Sequence, residues 1–164
     1  MNTTHVVGID PGLVHSGVVR MVFTARTREL LVEHEAVAGP DAGAASAWIN
    51  HSLGHWYPDP AVFIEGYRPR SNLAHDQKMT EAVARFKAAT AGTVVPNMGV
   101  KQVVKRDLLV LMGLWSFGTV THHQDLRSAA RIAVLGMLKN PVLNRVVYDV
   151  VDDHLNGRTW TVRV

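Results

Sequence analysis

Cysteine is absent from the 164 residues. That excludes a disulfide framework, a thiolate nucleophile and a cysteine-based zinc site, and it fits a reducing compartment. Charge is sparse at 19% of residues, against 47% apolar residues, too apolar a balance for a solvated disordered chain and enough to fill one core. No apolar run reaches the roughly 18 residues needed to cross a bilayer, so no membrane anchor is expected. The opening MNTTHVVGID lacks the basic-then-apolar pattern of a signal peptide. Internal repeats, low-complexity tracts and long linkers are also missing, so a single domain is expected across 1–164, with a short C-terminal extension from about residue 141. Seventeen basic against fourteen acidic residues leave a net charge of +3, an excess that permits a nucleic-acid partner without requiring one.

What is present alternates in period. His5–Asp10 is strand-like and ends at the turn signal Pro11-Gly12; Gly17–Thr24 and Glu29–Val37 continue as second and third strands. After Gly39-Pro40-Asp41, the apolar positions Ala45, Trp48, Ile49 and Leu53 recur at helical spacing. Ala61–Glu65 (AVFIE) reads as a strand covered on both faces. Met79–Phe86 marks a second helix, Thr93–Pro96 a fifth strand, Val104–Trp115 a third helix, and Leu126–Met137 a fourth that starts near Thr121. Beyond Asn140-Pro141 a short helix to about Leu155 and a terminal strand over Arg158–Val164 are expected. Three meandering strands followed by alternating units predict an α/β fold with a mixed sheet flanked by helices.

The acids fall at the ends of these elements. Asp10 closes the first strand, Glu65 closes the fourth, and Asp125 sits in the first turn of the last core helix, with His122 three residues before it. Singly, each has a plain alternative: a turn aspartate, a solvated glutamate, a helix cap, a surface histidine. Together, carboxylates brought to neighbouring strand ends are costly unless a cation neutralises them, and Mg²⁺ or Mn²⁺ suits oxygen ligands. His51 and His55 have zinc-chelating spacing but lack a third ligand, so surface histidines are expected there. Trp48 and Trp56 are expected in the core. Tyr67-Arg68-Pro69-Arg70 directly follows Glu65, a composition that suits phosphate and unpaired-base contacts as well as an ordinary polar loop. Arg127 and Arg131, four apart on the last core helix, are expected to face solvent or DNA.

These motifs resemble a known family. Val6-Val7-Gly8-Ile9-Asp10-Pro11-Gly12 with Ser16-Gly17 is similar to the opening motif of RuvC-type Holliday-junction resolvases. Phe63-Ile64-Glu65 resembles the family's second acid, Val100-Lys101-Gln102 its VKQ motif, and His122-His123-Gln124-Asp125 its final pair. The matches run in order over roughly residues 5–138, and the chain looks closer to the phage branch than to the bacterial one, which would put it in a bacterial host cytoplasm. The resemblance implies an RNase H-like five-stranded mixed sheet, two Mg²⁺ or Mn²⁺ ions per site, a homodimer, and metal-dependent nicking of four-way DNA junctions. It implies Asp10, Glu65, His122 and Asp125 as metal ligands and catalytic groups, with Lys101 near the scissile phosphate. Tyr67, Arg68 and Arg70 are expected on DNA, and Lys105 or Arg106 would supply a further cation. Asp125 is followed by Leu126-Arg127-Ser128 rather than the family's Ala-Leu-Ala. A shifted register would therefore place Asp125 in the earlier position and Ser128 in the last. Rival readings are half of a sugar-kinase-like ATPase, for which the chain is too short, a ribonuclease H acting on RNA–DNA hybrid, and a non-catalytic junction-binding protein.

Overall fold

The computed structural model describes residues 3–51, 59–71 and 73–164. Strands β1 (Thr3–Asp10), β2 (His15–Thr24) and β3 (Glu29–Ala38) form the antiparallel meander, with β1 and β2 in register from Thr3↔Thr24 to Asp10↔Gly17. Helix α1 (Ala42–His51) leads towards β4 (Ala61–Gly66), which joins β1 in parallel. Helix α2 (Ala74–Thr90) returns the chain to β5 (Thr93–Pro96), parallel to β4. Then come α3 (Val100–Val103), α4 (Arg106–Leu111), α5 (His123–Lys139), α6 (Asn144–Leu155) and β6 (Thr161–Arg163).

The sheet order is β5-β4-β1-β2-β3-β6, six strands rather than the expected five. The terminal strand pairs in parallel with β3, so the segment after residue 141 completes the sheet. The expected helix over Val104–Trp115 is shortened to α4, Arg106–Leu111, with the separate α3 just before it. Val104 (ψ 82°) and Lys105 (ψ 163°) separate the two, turning Val104 into the core between them.

Period-2 alternation divides β1 between two cores. Val7 and Ile9 face α1 and α2 with Ile64, Ala45 and Phe86; Val6 faces α5 with Phe63, Leu126 and Ala133. Asp10 and Glu65 continue the α5 side of their strands. Two glycines let α5 lie directly on the sheet. A Cβ at Gly8 would stand 2.0 Å from the Ala129 carbonyl oxygen, and one at Gly17 would stand 2.5 Å from that of Asp125. Any side chain there would lift the helix carrying Asp125 and Ser128 away from Asp10. Helix α6 adds Val147 and Val150 to the same core. Among the described residues no helix is long and apolar enough to cross a membrane.

Candidate functional site

The end of β1, the end of β4 and the first turns of α5 converge on one point. Asp10 shares a side-chain hydrogen bond with Glu65 and accepts another from the Ser128 hydroxyl, and it also feels the Asp125 charge. Burial first, and then the neighbouring Glu65 carboxylate, push the Asp10 pKa up to about 9. Without a cation Asp10 therefore keeps its proton at neutral pH, hydrogen-bonded to Glu65. Glu65 is oriented from its other side by Asn97, whose Nδ2 donates to Oε1 at 3.0 Å.

Beside this dyad opens a cleft of about 1000 Å³, lined by Glu65, Tyr67, Arg68, Arg70, Lys101 and Ser128 among others. Arg68, Arg70 and Lys101 are exposed, so their charges reach the cleft without desolvation cost. The arginine-bearing loop is held by a single buried carboxylate on α2. Asp76 accepts the Tyr67 hydroxyl, the Arg70 and Ser71 backbone N–H groups (3.0 and 2.7 Å) and the Ser71 hydroxyl (2.8 Å). Those bonds, the Tyr67 hydroxyl foremost, hold its pKa down at about 2, and the same bond raises that of Tyr67. The Tyr67 hydroxyl is thus committed to the protein, while its ring stays at the cleft wall.

Other expected residues lie elsewhere. His122 is the N-cap of α5, which begins at His123, close to the expected start near Thr121. The His122 ring stacks on His15 with centroids 4.2 Å apart, and Nδ1 lies 3.7 Å from Asp125 Oδ2. It lines a separate hollow of about 500 Å³ with His34, Thr119 and Thr121. Asp10 thus bonds to Glu65 and Ser128 and feels the charge of Asp125, while His122 meets Asp125 and His15. Among the described residues no group of three or more histidines, aspartates or glutamates is poised to hold a metal ion by itself. Lys105 and Arg106 are not among the cleft's lining residues; Arg106 lies over the Trp115 ring at 5.0 Å, with Arg127 on the same ring at 4.2 Å.

One expectation about the surface is overturned. Arg131 does not face solvent: it is 9% exposed, with Nε donating to the Val104 carbonyl at 3.1 Å. Arg127 is only half-buried, with its Nε donating to the Trp115 carbonyl at 2.6 Å. Ala82, Phe86, Val104, Leu109 and Met112 are buried in this chain's own cores. Trp48 is partly buried under the Arg20 guanidinium, at 4.6 Å, while His55 and Trp56 lie outside the described residues. His51 is exposed at the end of α1.

Asn97 and Asp76 were not expected from the sequence. An acid in the first turn of α2, just after the arginine loop, was the available signal for Asp76. Asn97 carries none, because its contact to Glu65 spans 32 residues, from the residue after β5 to the end of β4.

No protein-family model and no curated protein matches the sequence. Among solved structures, the chain is similar to Thermus thermophilus RuvC in complex with a Holliday junction substrate, at 21% identity and a TM-score of 0.55 over 88% of this chain and 94% of that one. A second Thermus thermophilus RuvC structure matches at 20% identity and a TM-score of 0.52, over 91% and 97% of the two chains. The chain therefore shares a RuvC-type α/β fold, a mixed sheet flanked by helices.

Proposed function

We propose that the protein is a divalent-cation-dependent endonuclease that nicks four-way and related branched DNA. The observation that carries this is the Asp10–Glu65 dyad, joined by Asp125 and Ser128, at the mouth of a cleft lined by Arg68, Arg70 and Lys101. The solved RuvC of the same fold, taken with a Holliday junction substrate, points to the same class of DNA.

The donor set fits Mg²⁺ or Mn²⁺. It is all oxygen, three carboxylates and a hydroxyl, and the proton that Asp10 keeps beside Glu65 marks a place where positive charge is wanted. Asp10, Glu65 and Asp125 would hold two ions, with Ser128 as a neutral oxygen; this favours the Asp125/Ser128 register over His122/Asp125. Such ions, when bound, activate water and offset charge on the scissile phosphate and leaving oxygen.

The chain's own residues supply the remaining functions. Arg68 and Arg70 grip phosphates from a loop already fixed by Asp76, and Lys101 sets a positive charge opposite the acids. The Tyr67 ring offers a face for an unstacked base. Asn97 keeps Glu65 turned into the site. A four-way junction has two equivalent strands to cut, so a homodimer with dyad-related sites is part of the proposal.

The test is nicking of a synthetic four-way junction set beside plain duplex and RNA–DNA hybrid, with Mg²⁺, Mn²⁺ or EDTA. Junction-selective nicking that needs the cation and is lost in Asp10→Asn, with junction binding kept, supports the proposal. Cleavage of hybrid alone would make the protein a ribonuclease H, and binding without cleavage under any cation would refute catalysis.

A further inference from the structure

Two guanidinium groups on α5 reach back to the segment that follows β5. Arg127 Nε donates to the Trp115 carbonyl at 2.6 Å while its guanidinium lies over the Trp115 ring. Arg131, one turn beyond Ser128, donates from Nε to the Val104 carbonyl at 3.1 Å. Val104 directly follows α3, the four-residue helix that presents Lys101 to the cleft. A helix of that length has no stability of its own and is placed by what its ends are tied to.

Arg131 is also a buried charge, and buried charges are costly without a counter-charge. Desolvation works to remove its proton, Glu65 works to keep it, and Arg127 opposes. Glu65 is thus an acid whose charge Arg131 feels, and α5 packs directly on β4, the strand that carries it.

We infer that Arg131 is a positioning residue of the acidic site, a cation built into α5 that offsets the Glu65 charge and sets Lys101 by holding the end of α3. The inference rests on the proposed nuclease function and deepens it. Arg131 supplies fixed positive charge to the acid cluster before any divalent ion arrives. Its loss should therefore make the cluster more attractive to cations while loosening Lys101. A purely structural arginine would not drive metal affinity and turnover in opposite directions.

The experiment is Mn²⁺ titration of the full chain, followed by the electron paramagnetic resonance of the free ion, alongside junction nicking at saturating Mn²⁺. Arg131→Gln should bind Mn²⁺ about threefold to tenfold more tightly than the unmodified protein, as expected for removing one nearby like charge, yet nick more slowly. Arg131→Lys, which keeps the charge, should retain the original affinity. Arg131→Met, an apolar chain of similar length, makes the same comparison if the glutamine variant does not fold. Asp10→Asn serves as the control that the titration reads this site. Asp10-dependent binding with unchanged affinity in the Gln and Met variants overturns the inference alone. Mn²⁺ uptake indifferent to Asp10→Asn overturns the nuclease proposal and the inference with it.

Discussion

Asp10→Asn should stabilise the cation-free protein, although it removes a residue at the centre of the site. The pKa of Asp10 is raised to about 9 in the fold from 3.8, by burial and by Glu65. Below both values folded and unfolded chains carry the proton alike, and the acid has no effect on stability. Between them the unfolded chain has released the proton and the folded one has not, so stability falls as pH rises. Across three pH units inside that window the ceiling is about 4 kcal/mol. Water reaching the half-buried carboxyl lowers the expectation to about 2 kcal/mol, or a shift of roughly 4–8 °C in melting temperature for a chain of this size. Asparagine keeps the shape and a donor for Glu65 but has no proton to lose. Melting curves in EDTA at pH 5 and pH 8 should therefore diverge for the unmodified protein and nearly coincide for Asp10→Asn, once the change common to both is subtracted. Millimolar Mg²⁺ should restore the unmodified protein at pH 8 and leave the variant unmoved. A variant less stable than the parent at pH 8, or a difference independent of pH, would refute the retained-proton account of the dyad.

Ser128→Ala should slow junction nicking by about tenfold through loss of a charge-assisted hydrogen bond to Asp10, whereas His122→Ala should change it little; single-turnover nicking compares the two, and the reverse ranking would restore His122 to the site. Asp76→Ala should release the loop, seen as faster trypsin cleavage after Arg70 and weaker junction binding. Because Asp76 is held at about 2, its grip is complete above the ordinary carboxylate range and fails only as pH falls towards 2, so loop protection in the unmodified protein should persist through mild acid. Gly8→Ala should cost about 3 kcal/mol by overpacking α5 against β1; a urea melt within 0.5 kcal/mol of the parent would contradict the close seating of the helix.

Local patterns were legible where the responsible contacts are local. The strand-like run Val6–Ile9, the turn at Pro11-Gly12 and the apolar run before Glu65 led to β1, β2 and β4, and so to two acids at adjacent strand ends. The pairing of β6 with β3 joins residues more than 130 apart, which no periodicity records. Arg127 and Arg131 carry the spacing of a solvated stripe, yet α5 is packed by the sheet on one side and by α3 and α6 on others. Which cations it buries depends on the carbonyls that the broken helix at Val104–Lys105 offers. The same holds at Ser128: both registers put an acid on the first turns of α5, and the choice between them turns on the angle at which Gly8 and Gly17 admit the helix.

The rims of the sheet bear on how two copies would meet. One rim is β5, four residues ending in Pro96, which has no N–H to offer a neighbour; the other is β6, three residues long. Strands this short and blunted make poor templates for adding another chain. Continuous sheets across a subunit boundary, and the runaway aggregation that open rims invite, are thus disfavoured at both ends. A two-fold partner of the kind proposed would have to settle on helices or loops, where its approach can turn both clefts towards the same junction.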